Sequence, residues 1–203
     1  MRHGETDLNA KNMGQSPDTP LSQVGREQAQ LLADRFVEID FDHLLVSDFA
    51  RTTETAQFIT DVTKKQPEYL PLLRELRRPA QFIGVSYDTD EYRDYLKQTD
   101  LNVTDPDWHY DDGENFFDVL KRIKSFFAEL EKIEGDCVVV THKRFVVMMT
   151  MFVMLGEKFT PEVWRDGKDS VIVCNTAITT IVKEEGYQGW KLHTFNDHAH
   201  FAE

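Results

Sequence analysis

Cysteine is nearly absent from this chain: only Cys137 and Cys174 occur, each inside an apolar run ("DCVVVTH" and "VIVCNTAI"). Two thiols placed this way read as buried residues in a reducing compartment, not as a disulfide framework. Long hydrophobic runs are also missing. The longest, Phe145 to Leu155, is far short of the roughly 20 residues a spanning helix needs, so no membrane segment is expected. No signal peptide precedes the first motif, and a cytoplasmic location is the expectation. Positive charge is scarce, with 23 Lys and Arg against 36 Asp and Glu, a formal net charge of −13. That balance excludes a nucleic-acid binder held by phosphate contacts and a binder of anionic membranes. Any bound anion needs a local cationic pocket. Glycine (10) and proline (7) are too few for a linker or a low-complexity segment, and no repeat is visible. Residues 1–203 are therefore expected to form one domain.

What is present alternates between helical and strand-like patterns. "TPLSQVGREQAQLLADRFVEI" predicts a helix capped by Ser22, with Val24, Leu31, Leu32, Phe36 and Ile39 at helical spacing. "DHLLVS" follows as a buried strand, "DFARTTETAQFITDVTKK" as a second helix and "EYLPLL" as a short strand. From about Glu75 to Gly113 the pattern breaks into a polar, aromatic and acidic stretch. Residues 76–112 are expected to be an insertion or lid with short helices. "GENFFDVLKRIKSFFAELEKIEG" places Phe116, Leu120, Ile123, Phe127 and Leu130 on one helical face. "DCVVVTH" suits a central strand buried on both sides, and "KRFVVMMTMFVMLG" a helix inside the domain. "DSVIVCNTAITTIVKEE" and "GWKLHTFN" suggest a closing hairpin. This alternation predicts a three-layer α/β/α fold with a mostly parallel central sheet.

In such folds ligands bind at the carboxyl ends of the strands. The polar residues there are Ser47, Asp48 and Arg51, then Arg74 and Glu75, then Thr141 and His142, with Asn175 and Thr176 at the last run. Arg2 and His3 join them if a strand precedes them. Two histidines, two arginines and a carboxylate make phosphoryl transfer plausible. Neutral imidazole attacks phosphorus, and its phosphorylated form still leaves readily. Guanidinium forks match phosphate oxygens, and a carboxylic acid can protonate the departing alkoxide. Such a site needs no metal or cofactor if the guanidinium groups carry the electrostatics. His198 and His200 in "NDHAH" have no carboxylate–histidine spacing elsewhere to complete a metal site.

The blocks "RHGETDLN", "DTPLSQVGREQA", "SDFARTTETA", "LRE", "GENFFDVLKRI" and "VVVTH" occur in that order. In them the chain resembles the histidine phosphatase superfamily, in its phosphoglycerate-mutase-like branch. The resemblance covers nearly the whole chain. It implies that His3 is the phosphorylated nucleophile and that Arg2, Arg51 and His142 form the phosphate pocket. It further implies that Asn9 is a supporting donor and Glu75 the general acid. The implied activity is metal-independent hydrolysis of a small phosphorylated metabolite. A phosphoglycerate mutase and a phosphate-ester-binding protein without turnover are the alternatives.

Two departures from the pattern carry expectations of their own. Only Met1 precedes "RHG", where the family has an apolar strand, so the recorded start is expected to lie too late. After His142, where the family has glycine, stand Lys143 and Arg144. With Arg77 and Arg78 they are expected to bind a second anionic group on the substrate.

Overall fold

The computed structural model describes residues 1–184, 186 and 189–201. Strand β1 (His43–Val46) lies between β2 (Pro67–Tyr69) and β3 (Cys137–Val140), and both pairings are parallel. Leu44 stands opposite Pro67 on one side, and Val46 opposite Val140 on the other. Beyond β3 the sheet continues through the first three residues. Arg2 bridges Thr141 in parallel, His3 N–H donates to Thr141 O (3.0 Å), and Thr141 N–H donates to Met1 O (2.9 Å). The α-amino group donates to Val139 O at 2.7 Å, and burial pushes its pKa down to about 5. Thr176 N–H reaches Arg2 O (3.1 Å) from the far side. From there the chain enters the antiparallel pair β4 (Ile178–Val182) and β5 (Lys191–Asp197). Met1–His3 thus takes the central place expected of a strand before the motif, at that strand's carboxyl end.

Strand alternation divides the apolar residues between two faces. Leu44, Val46, Val138 and Val140 pack with Leu32, Ala33 and Phe36 of α2 (Gln23–Phe36) and with Ala56 and Ile59 of α3 (Ala50–Thr63). Leu45, Cys137 and Val139 face the opposite cluster. That cluster is built from Val119, Ile123 and Phe126 of α5 (Phe116–Leu130) and Phe145 and Met148 of α6 (Lys143–Leu155). The result is the three-layer α/β fold with a parallel central sheet.

Segment 76–112 has a small aromatic cluster of its own. Phe82, in the short helical turn Ala80–Phe82, packs with Tyr92 and Tyr95 of α4 (Asp90–Leu101). Backbone bonds tie the segment to the loop after α1 (Asp7–Ala10): Gly14 N–H to Val85 O (3.0 Å), Gly84 N–H to Gly14 O (2.9 Å) and Tyr87 N–H to Asn12 O (2.9 Å).

Several local expectations are corrected. In α2 the buried face is Gly25, Ala29, Leu32, Ala33 and Phe36, while Val24 and Leu31 are 48% and 45% exposed, and Ile39, 37% exposed, lies beyond the helix's end. The helix is turned because its start presses on the first loop. A Cβ on Gly25 would lie 2.0 Å from Glu5 O, and one on Gly4 2.5 Å from Gly25 O. "EYLPLL" holds a strand only to Tyr69 and then a 3₁₀ turn, Pro71–Leu73; Pro71 has no N–H for a ladder and a fixed φ. The last hairpin begins at Ile178, because Thr176 turns the chain in the left-handed region (φ 57°). Part of the turn between β4 and β5 lies outside the described residues. Helix α6 is buried only over its first half, and Met154 is 63% exposed.

Candidate active site

Parallel pairing brings Arg2 and His3 level with Thr141, and Ser47 N–H to Val140 O (3.0 Å), so the ends of three segments meet. His3 is 2% exposed. Its Nδ1 lies 2.6 Å from Gly4 O. A carbonyl can only accept, so Nδ1 carries the proton and Nε2 keeps its lone pair. Burial, then Arg51 and Arg2, hold the imidazole well below the usual histidine range, with the Gly4 carbonyl pulling weakly the other way. The ring is neutral at physiological pH, the form that can act as a nucleophile. Its backbone is fixed from three directions: Gly4 N–H donates to Thr55 Oγ1 (3.0 Å), Asn175 Nδ2 to His3 O (3.0 Å), and Thr176 N–H spans Arg2 O and His3 O.

His142 precedes α6 and is fully buried, its ring 5.3 Å from that of His3. Its Nε2 is 2.8 Å from Ser47 Oγ, and the edge-on ring of Phe49 lies 5.2 Å away. Burial, then Arg51 and His3, keep it neutral as well. When the serine hydroxyl donates, His142 Nδ1 carries a proton.

Arg2 Nη1 donates to Val173 O (2.7 Å) and Arg51 Nη1 to Ser16 O (3.0 Å), so each guanidinium is clamped at one corner. Burial lowers the pKa of both, that of Arg51 to about 10. Among the described residues, Arg2 Nε, Arg51 Nε and His142 Nδ1 are buried and have no hydrogen-bond partner. Buried donors without acceptors are costly, and here they cluster around His3. Asn9 adds another donor. Its Oδ1 is engaged by Thr6 N–H (2.8 Å) in the capping box of α1, which leaves its NH₂ group for a ligand.

The Glu75 carboxylate accepts from Leu76 N–H (3.0 Å), Phe145 N–H (3.2 Å) and Arg144 N–H (3.2 Å). The last two are first-turn donors of α6, whose N-cap residue His142 contributes no side-chain cap. Glu75 therefore caps the helix from a distant loop. Arg122 holds that loop, donating to Leu72 O (2.8 Å) and Arg74 O (2.9 Å) and pairing with Glu114.

A cleft of about 900 Å³ opens at these strand ends. Of the residues singled out from the sequence, Arg2, His3, Asn9, Asp48, Arg51, Arg74, Glu75, Arg77, Arg78, Lys143 and Arg144 line it, whereas Ser47, Thr141, His142, Asn175 and Thr176 do not. The cleft is locally cationic in an acidic protein. Arg74 is paired with Asp48, Arg122 with Glu114 and Arg144 with Asp169. Among the described residues Arg2, Arg51, Arg77, Arg78 and Lys143 have no salt bridge, and Glu75 is the carboxylate that acts most on Arg2 and Arg51. Sequence reasoning missed Gly25 and Arg122. Asn175 and Thr176, polar residues at the last apolar run, brace the backbone of His3. His200, considered for a metal, instead places Nε2 2.9 Å from Thr176 Oγ1.

A model of the histidine phosphatase superfamily (branch 1) matches residues 1–198, and the chain belongs to that family. It is 31% identical over 206 residues to "Probable phosphatase C1687.21" of Schizosaccharomyces pombe, covering 98% of this chain and 92% of that one. It is 28% identical over 207 residues to "Probable phosphoglycerate mutase GpmB" of Escherichia fergusonii, again covering 98% and 92%. A phosphoserine phosphatase mutant of Entamoeba histolytica, solved with phosphoserine, shares the fold with a TM-score of 0.78 at 21% identity, over 98% and 96% of the two chains. Phosphatase activity is the function that membership supports. No helix among the described residues is long and apolar enough to cross a membrane.

Proposed function

We propose that this chain hydrolyses a small phosphorylated metabolite, a phosphomonoester, through a phosphohistidine, without metal or cofactor. His3 Nε2 attacks phosphorus in line while the ester P–O bond breaks. Glu75, as the carboxylic acid, gives its proton to the departing oxygen. Arg2, Arg51 and Asn9 carry the charge on the remaining oxygens, with the buried His142 supporting the corner from beside His3. Water then attacks phosphorus, Glu75 takes its proton, the P–N bond breaks and orthophosphate leaves with His3 neutral again. Residues 76–112 wall the cleft as a lid, and Arg77, Arg78 and Lys143 face the part of the substrate that leaves.

One observation carries this reading: a neutral histidine, its Nδ1 committed to Gly4 O, surrounded by buried donors without partners. Mixing the protein with an aryl phosphate in chelator, quenching at neutral to basic pH and recording the intact mass is the direct test. One added phosphoryl group, absent from His3→Ala, is expected. An unmodified protein that still releases phosphate would exclude the phosphohistidine. The same residues would serve a mutase, the name one relative carries, and isomerisation of phosphoglycerates without net phosphate release would select that reading.

A further inference from the structure

The cleft holds more unpaired positive charge than one phosphoryl group needs. Arg2, Arg51, Asn9 and His142 already supply donors around His3. Lys143 belongs to that end too, since burial and then Arg144 and Arg2 lower its pKa. Arg77 is exposed, with its backbone N–H fixed on Glu114 Oε2 (2.8 Å).

Arg78 is different. Its Nε donates to Tyr92 Oη at 2.8 Å, and its guanidinium carbon lies 5.0 Å from the centroid of Tyr87. Tyr87 stacks on Tyr92 at 4.4 Å and 24°, and Tyr92 meets Phe82 edge-on at 5.3 Å. The fork is therefore oriented by a packed aromatic shelf instead of a carboxylate. Among the described residues its two terminal nitrogens have no hydrogen-bond partner, and the side chain lines the cleft. An oriented guanidinium with its outer edge free is the geometry that receives a carboxylate or phosphate side-on. Arg51, whose pKa burial chiefly lowers, also feels Glu75, Tyr87 and Arg78, so this receptor is an electrostatic neighbour of the phosphate corner.

We propose that the substrate is a doubly anionic phosphomonoester whose second acidic group, a carboxylate or another phosphate, is held by Arg78 on the Tyr87–Tyr92 shelf. This deepens the hydrolase reading and rests on it for the placement of the first phosphate. It narrows the expected set of second-anion cations to Arg78, since Arg144 is engaged by Asp169 and Lys168 O.

The test compares phenyl phosphate with its 2-, 3- and 4-carboxy derivatives and with 1,4-phenylene bisphosphate. Expected is a kcat/KM for the best anionic ester at least about tenfold above phenyl phosphate, the worth of one charge-assisted bond. Arg78→Met should cut that preference by about tenfold. Tyr92→Phe, which keeps the charge and loses the orienting bond, should cut it by roughly threefold. Whether carboxylate or bisphosphate gains most identifies the acid. Equal use of phenyl phosphate and of the esters with a second acidic group, or an Arg78→Met loss in the same proportion for all esters, would overturn the proposal. Should Arg78→Met fail to fold, the wild-type preference and Tyr92→Phe decide. Calorimetry of the same esters on His3→Ala separates the two readings. Selective binding of the doubly anionic esters without turnover by the wild type would retain this inference and reject the hydrolase. Binding without selectivity would reject the inference whatever the turnover.

Discussion

Two neutral histidines buried at the strand ends should make this protein acid-labile well above the carboxylate range. His3 and His142 are held far below the ordinary histidine pKa by burial and by Arg51. In the unfolded chain both titrate near 6.5. A group with a depressed folded pKa contributes stability that is present above its unfolded value and is lost as pH falls toward the folded one. The window therefore opens at about pH 6.5 and runs downward. Each proton withheld from the folded state costs about 1.4 kcal/mol per pH unit. Between pH 7 and 5.5 that amounts to about 1.3 kcal/mol per histidine and about 2.5 kcal/mol for the pair. The buried α-amino group, at about 5, acts in the same direction but is common to every variant. Urea unfolding followed by tryptophan fluorescence at the two pH values gives the difference. Wild type should lose about 1.3 kcal/mol more than His3→Asn or His142→Asn over this interval. Parallel losses, within about 0.5 kcal/mol, would refute the neutral buried imidazoles and with them the protonation state that the proposed mechanism requires of His3.

Other outcomes follow from individual contacts. Glu75→Gln should lower kcat by roughly 10²-fold or more, measured by phosphate release, while Glu75→Ala should in addition lose about 1 kcal/mol of stability as α6 loses its cap. Gly25→Ala drives a methyl group to 2.0 Å from Glu5 O and should cost about 1–3 kcal/mol in denaturant unfolding. Arg122→Met removes the donor that holds the carbonyls of Leu72 and Arg74. It should lower kcat with little change in KM for phenyl phosphate, because it acts through the Glu75 loop; a rise in KM alone would contradict that role.

The candidate residues were legible because the chemistry left few other uses for them. Arg51, Glu75 and His142 each stand shortly after an apolar run or a turn, and parallel sheets place such positions at one edge, while Arg2 and His3 were marked by their motif. The helical faces were less legible. Val24 and Leu31 fit the spacing in α2, yet Gly25 and Ala29 are buried there, because a close approach of backbones selects small residues over apolar ones. Periodicity measures hydrophobicity and has no term for the distance between two backbones.

Order of motifs, strand ends and an acidic surface that forces any anion into a local pocket were determined by sequence alone, since they depend on residue type and local spacing. Only the tertiary structure decided that His142 is buried with its ring 5.3 Å from that of His3 and does not line the cleft, and that Glu75 caps α6 through Arg144 and Phe145. It alone decided that Arg144 is spent on Asp169 while Arg78 rests on two tyrosines with its outer nitrogens free. Whether a charge is paired depends on distances between residues far apart in the chain, and those distances exist only once the layers have packed.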